Sequence, residues 1–143
     1  MKVNRVTPRE AERLLGEGAI YVDVRSEPEF EAGHPPGAFN VPLLHAGPVG
    51  LVPNPEFLTV MERAFGKREK LVMGCRSGQR SLSAAEMLLA AGYTDVSNLT
   101  AGFEGSRDPF GRVLLGWRAE GLPVEQGKPE GASYADTKRR TPL

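Results

Sequence analysis

The sequence predicts an α/β fold in which a parallel sheet carries helices on both faces. Three observations predict it. Short apolar runs at residues 19–24, 38–41, 71–74 and 95–99 have the length of buried strands. Stretches with apolar residues at helical spacing separate them. The elements therefore run β, α, β, short α, β, α, β, α, β, and alternation of this kind joins parallel strands through helices laid on the sheet.

Taken in order, Val3 and Val6 mark a short edge strand. Thr7-Pro8-Arg9-Glu10 has the form of a capping box. Thr7 accepts from the backbone at Glu10, Glu10 reaches back, and Pro8 stands where a missing N–H costs nothing. Ala11, Leu14 and Leu15 share one face of the helix that follows, which stops near Gly16 or Gly18. Residues 19–24 (AIYVDV) read as a buried strand, residues 27–31 as a short helix, and residues 38–41 as a brief strand ending at Pro42. Residues 43–53 are rich in Gly and Pro and read as a loop. Asn54-Pro55 opens a helix with Phe57, Met61, Ala64 and Phe65 at helical spacing. Residues 71–74 form a buried strand that leads straight into Cys75. Past a polar loop, Leu82, Ala85, Leu88 and Leu89 line one face of a helix that closes at Gly92, and residues 95–99 are the last strand. Residues 102–116 hold four glycines and a proline and read as a surface excursion. Residues 1–126 are expected to form one domain; residues 127–143 carry little apolar material and read as a flexible tail.

At 143 residues the chain is one domain by length and needs neither disulfides nor a structural metal to fold. Lys plus Arg balances Asp plus Glu at 18 each, so no excess of cations exists to neutralise phosphates, which argues against nucleic acid as the main partner. No apolar run approaches the roughly 18 residues of a membrane span. Residues 1–5 lack the apolar stretch of a signal peptide. The single cysteine cannot form an intramolecular disulfide, and with His34 and His45 it has no metal-ligand spacing, so no metal is expected. These features are those of a cytoplasmic protein whose thiol stays reduced.

The segment Gly74-Cys75-Arg76-Ser77-Gly78-Gln79-Arg80-Ser81 joins a strand to a helix. In parallel sheets ligands bind outside the carboxyl ends of the strands, where Cys75 falls. A loop entering a helix N-terminus points unpaired N–H groups inward, and the helix dipole adds partial positive charge. Arg76 and Arg80 add full charges. Such a nest favours an anion, here a thiolate. A lone cysteine at a strand end is by default a small buried hydrophobe. A core cysteine, however, is not followed by five polar or small residues. A thiolate here can attack the outer sulfur of a thiosulfonate or persulfide, and the resulting Cys–S–S⁻ is an anion held by the same N–H groups.

Three groups of residues carry a resemblance. The first is Val22-Asp23-Val24-Arg25 with Glu29-Phe30, Gly33-His34-Pro35-Pro36-Gly37-Ala38 and Asn40-Val41-Pro42. The second is the cysteine loop, and the third is Gly102-Phe103 with Gly116-Trp117-Arg118 to Gly121-Leu122-Pro123. In this order, over residues 3–126, the sequence resembles single-domain sulfurtransferases of the rhodanese family, with Pro35 standing where Ile is usual. The resemblance implies a five-stranded parallel sheet flanked by helices on both faces. It implies a sulfurtransferase that moves sulfane sulfur from a donor such as thiosulfate or a persulfide to a thiophilic acceptor such as cyanide or a thiol. It implies a persulfide on Cys75, cradled by the backbone of residues 76–80, and no cofactor. Arg76, Ser77, Gly78, Gln79 and Arg80 are the expected substrate-binding residues, with Arg25 bordering the pocket entrance. Asp23 is expected to pair with Arg80 and orient the loop. His34 reads as a turn residue, His45 as a surface residue on a loop that rims the pocket, and Trp117 as packing. Expected partners are the small-molecule donor, the thiol or cyanide acceptor, or a sulfur-accepting protein; nucleic acid and membrane are not among them.

Two rivals stand beside this reading. A cysteine phosphatase or arsenate reductase on a related fold needs Cys-x5-Arg to encircle a tetrahedral group. Arg80 falls five positions after Cys75, one too few, and Gly74 stands where such phosphatases often place His. A regulatory module on the same fold is the non-enzyme rival. Such modules often lack the cysteine, which is present here with both arginines.

Overall fold

The computed structural model describes residues 2–142. Its elements are β1 (Asn4–Val6), α1 (Pro8–Gly16), β2 (Ile20–Asp23), α2 (Glu27–Ala32), β3 (Phe39–Asn40), β4 (Leu44–Gly47), β5 (Gly50–Pro53), α3 (Phe57–Ala64), β6 (Leu71–Gly74), α4 (Gln79–Ala90), β7 (Val96–Leu99), β8 (Ser106–Arg107), β9 (Val113–Leu114) and α5 (Tyr134–Thr137). Five strands form one parallel sheet in the order β1-β7-β6-β2-β3. Successive side chains on a strand point to opposite faces. Tyr21 and Val72 therefore enter one core with Ala11 of α1, Phe30 of α2, Phe103 and Trp117. Their neighbours Val22, Leu71 and Met73 enter the other, with Met61 of α3, Leu88 of α4 and Tyr134 of α5. The expected α/β architecture, with helices on both faces, is the one found.

Local chemistry places the elements. At α1 the Thr7 N–H donates to Glu10 Oε1 at 2.9 Å and the Glu10 N–H to Thr7 Oγ1 at 3.2 Å, the reciprocal cap expected there. α4 buries Ser81, Ala84, Ala85 and Leu88, while Leu82 and Leu89 stay partly exposed, so the helix is turned from the expected face. Small residues let it lie close to the sheet.

Two stretches, residues 43–53 and the tail, differ from expectation, and the surface excursion at 102–116 holds a hairpin. Residues 43–53 are not a plain loop: β4 and β5 pair antiparallel, Leu44 opposite Pro53 and Gly47 opposite Gly50. The glycines and a proline that suggested a loop are concentrated at the hairpin tip, Gly47-Pro48-Val49-Gly50. The 102–116 excursion carries a second hairpin, β8 with β9, closed by Asp108, whose carboxylate accepts from the N–H groups of Phe110 and Arg112. The tail is docked rather than flexible. Tyr134 and Thr137 are buried, the Asn40 N–H donates to the Ala132 carbonyl at 2.9 Å, and Asn54 Nδ2 donates to the Tyr134 hydroxyl at 2.9 Å. Arg140 lies over the rings of Phe39 and Phe65 and donates to the Ala64 carbonyl. These anchors are aromatic and polar, so a count of apolar residues misses them. Among the described residues no helix is long and apolar enough to cross a membrane.

Candidate active site

β6 delivers Cys75 to the carboxyl end of the sheet. Gly74 ends that strand beneath Tyr21, and a Cβ there would lie 1.8 Å from the Tyr21 hydroxyl. Only glycine lets the buried ring cross the strand end. The chain then reverses at Gly78, whose φ of 94° is left-handed and whose added Cβ would stand 2.3 Å from the Thr100 carbonyl oxygen. α4 starts at the next residue. The outer side of the loop is tied down by the Phe103 N–H, which donates to the Cys75 carbonyl at 2.8 Å, and by the Glu104 N–H, which donates to that of Arg76 at 2.9 Å. The Gly102-Phe103 pair thus backs the cysteine loop.

The loop wraps the sulfur. Cys75 is 1% exposed. Its Sγ accepts from the Gly78 N–H at 3.1 Å and from the Ser81 N–H at 3.3 Å, and the Ser81 hydroxyl lies 3.3 Å away. The register of β6 and β7 sets Met73 opposite Asn98. That brings the Asn98 side chain under the loop. Asn98 Nδ2 donates to the Gly78 carbonyl at 3.2 Å, and Asn98 Oδ1 lies 2.5 Å from Ser81 Oγ. Ser81 closes the cysteine segment of the sequence but is assigned no role there, and Asn98 is not marked out at all, because an asparagine in a strand carries no signal until the strand register brings it to the loop.

The arginines divide differently from expectation. Arg80 does not pair with Asp23. It makes two hydrogen bonds with Glu29, whose Oε1 also accepts from the Ser26 N–H and hydroxyl. Partial burial pushes the Glu29 carboxyl up, but the bonds from Arg80 and Ser26 outweigh it and hold the group down at about 2. Asp23 pairs instead with Arg25 at 2.6 Å, two residues on along the same chain. Arg25 also donates to the Gly33 carbonyl at 2.6 Å and lies over the Phe103 ring. At 3% exposure it does not border a pocket entrance. Burial works against its charge, but the hydrogen bonds and charge of Asp23 outweigh that, so its pKa lies above the ordinary value. Arg25 is therefore a brace between strand end, α2 terminus and the Phe103 segment.

Of the other expected site residues, Gly78 is buried, Ser77 and Arg80 are half-buried, and Arg76 and Gln79 are exposed around the sulfur. Ser77, Gly78 and Gln79 also line a cleft of about 390 Å³ shared with Arg5, Asn98 and Arg107. His34 is fully buried rather than a simple turn residue; its ring stacks on Phe30 at 3.7 Å, and its Nδ1 lies 2.6 Å from the Phe30 carbonyl. His45 sits on β4 near the Tyr134 ring, and Trp117 packs edge-on against Tyr21, as expected of a packing residue. A buried cysteine sulfur ringed by donors suits a reaction in which that sulfur is charged while it attacks or leaves.

A family model described as Rhodanese-like domain matches residues 7–108. Over 115 residues the chain is 37% identical to thiosulfate sulfurtransferase 16, chloroplastic, of Arabidopsis thaliana, covering 80% of this chain and 87% of that protein. It is 37% identical over 121 residues to senescence-associated protein DIN1 of Raphanus sativus, covering 85% of this chain. The match spans only 60% of that longer relative. The crystal structure of Rv0390 from M. tuberculosis superposes with a TM-score of 0.73 at 34% identity, covering 89% of this chain and all of that one. Relatives named thiosulfate sulfurtransferase support sulfur transfer as the general activity.

Proposed function

The chain belongs to the rhodanese-like domain family, and we propose that within it the protein carries sulfane sulfur as a persulfide on Cys75. The observation that carries this reading is the ring of donors about Cys75 Sγ: two backbone N–H groups and one hydroxyl within 3.3 Å. The thiolate attacks the outer sulfur of a donor such as thiosulfate or a persulfide. The donor's S–S bond breaks, and with thiosulfate the sulfite leaves with the bonding electron pair. An acceptor such as cyanide or a thiolate then attacks the outer sulfur of Cys75–S–S⁻, and Sγ leaves as the thiolate. Thiocyanate or a new persulfide departs, and the site is regenerated.

Several features support sulfur over phosphate. Arg80 is engaged by Glu29 and is not free to encircle a phosphoryl group, and the loop is one residue short for it. Arg76, Ser77, Gly78, Gln79 and Arg80 supply the surround of the donor. The lone cysteine leaves no internal thiol to resolve the persulfide, so discharge needs an external acceptor, either a small molecule or a sulfur-accepting protein. We place the protein in the cytoplasm on the ground that its single thiol must stay reduced.

Intact-mass analysis after thiosulfate treatment and desalting tests the mechanism. The protein should gain one sulfur atom and lose it to cyanide with release of thiocyanate. Cys75→Ala should do neither; turnover in that variant would overturn the assignment.

A further inference from the structure

The Ser81 hydroxyl carries one hydrogen and faces two acceptors, Asn98 Oδ1 at 2.5 Å and Cys75 Sγ at 3.3 Å. The orientation of Asn98 is set by its other contact. The Gly78 carbonyl, 3.2 Å away, can only accept, so the amide NH₂ faces it and the amide oxygen faces Ser81. Ser81 and Asn98 are both buried, so the hydrogen has no water to turn to.

Resting on the persulfide reading of Cys75, we propose that Ser81 and Asn98 form a hydrogen-bond switch that follows the charge on Sγ. In the loaded state Sγ holds two covalent bonds and no charge, and the formal charge sits on the outer sulfur. A neutral divalent sulfur is a poor acceptor, so the Ser81 hydrogen rests on Asn98. During discharge the acceptor attacks the outer sulfur, the S–S bond breaks, and its electron pair stays on Sγ. The Ser81 hydroxyl then turns to the developing thiolate and joins the Gly78 and Ser81 N–H groups. No proton is transferred; only the hydrogen bond changes partner. Ser81 touches the reacting atom and is a catalytic residue, while Asn98 acts through it and is a positioning residue.

The two side chains therefore have opposite effects on discharge. Removing the Ser81 hydroxyl takes a donor from the leaving thiolate. Removing the Asn98 oxygen strands the hydroxyl in the loaded state, which raises that state relative to the thiolate. Asn98 also steadies the loop through Gly78, and that contribution is measured separately in a protein lacking the Ser81 hydroxyl.

The experiment follows loss of sulfur from isolated, thiosulfate-loaded protein on adding cyanide, for Ser81→Ala, Asn98→Ala and the double variant. Mass analysis counts the loaded fraction in each, and thermal unfolding confirms that each is folded. Ser81→Ala should slow discharge roughly tenfold, the scale of one hydrogen bond to a charged group. Asn98→Ala should speed it, and should lose that acceleration in the Ser81→Ala background. Discharge unchanged by Ser81→Ala, or slowed by Asn98→Ala by the same factor in both backgrounds, would overturn the switch. If Ser81→Ala does not fold, Ser81→Gly, which also lacks the hydroxyl, takes its place in the same comparison: acceleration by Asn98→Ala that disappears in that background supports the switch, and an equal Asn98→Ala effect in both backgrounds overturns it. Failure of the wild-type protein to take up sulfur is a different result, and would count against the Cys75 persulfide itself.

Discussion

Arg80 and Glu29 face each other through two parallel hydrogen bonds, Nη1 to Oε1 at 2.8 Å and Nη2 to Oε2 at 2.9 Å. One end of this clamp stands on the first turn of α4 and the other on α2. The charge of Arg80 is thereby neutralised and fixed, while Arg76 remains exposed.

The clamp should be visible in acid. The Glu29 carboxyl is held at about 2 in the fold against an ordinary 4.5, so its contribution is complete above about pH 4.5 and is lost as pH falls toward 2. Water reaches the half-buried pair and screens it, which leaves about 1–2 kcal/mol. Urea unfolding across this range should show that loss in the wild-type protein. Glu29→Gln should be less stable at neutral pH and lack this component of the acid dependence. An identical pH profile in the two proteins would mean the clamp contributes nothing.

Arg25 should matter to stability and not to substrate affinity. Removing one member of a buried ion pair leaves the other uncompensated, at a cost of about 3–5 kcal/mol. Arg25→Ala should lower the unfolding free energy by that order. In a milder variant, Arg25→Lys, the KM for thiosulfate should stay near the wild-type value while the melting temperature falls. A raised KM with unchanged stability would restore Arg25 to the substrate site.

Gly78→Ala should damage the loop in two ways. The left-handed backbone costs an alanine about 1 kcal/mol or more, and the new Cβ would meet the Thr100 carbonyl oxygen at 2.3 Å. The Gly78 N–H would then shift from its 3.1 Å contact with Sγ. Sulfur uptake measured by mass should fall steeply in a protein that still melts cooperatively. Uptake at the wild-type rate would show that the Gly78 N–H is dispensable.

The docked tail should be part of the cooperative unit. Arg140→Ala removes a cation stacked on Phe39 and Phe65, and Tyr134→Phe removes the hydroxyl that Asn54 meets. Each should cost about 1 kcal/mol by chemical denaturation. Variants as stable as wild type would mean the tail is bound only loosely.

Much of this was legible in the sequence where a local rule decides the outcome. The Thr7–Glu10 cap and the strand at Leu71 running into Cys75 follow from residue chemistry within a few positions. What was not legible depends on partners distant in the chain. Asp23 has two arginines in reach of any sensible guess, and only the fold decides that it takes Arg25 and leaves Arg80 to Glu29. Ser81 and Asn98 are 17 residues apart and meet because β7 lies beside β6 in one register. The tail misled because Tyr134 and Arg140 dock by a hydroxyl and a guanidinium, which composition scores as polar.

The edge strand β1 pairs with β7 across a long stretch of chain, Asn4 lying opposite Ser97. The other pairs are more local: β6 meets β7 with Leu71 opposite Val96, β2 meets β6 with Ile20 opposite Leu71, and β2 meets the other edge strand, β3, with Val22 opposite Phe39. Closing the longest loop carries the largest entropic penalty, and this strand is only three residues long with mostly exposed side chains to offset it. The order of assembly follows. The β2, β6 and β7 ribbon and the cysteine loop it supports can consolidate first, with β1 zipping on afterward. By the same argument the β1 amides should exchange sooner than those of the interior strands β7, β6 and β2, so that the thiol at the end of β6 stands on the better-protected part of the sheet.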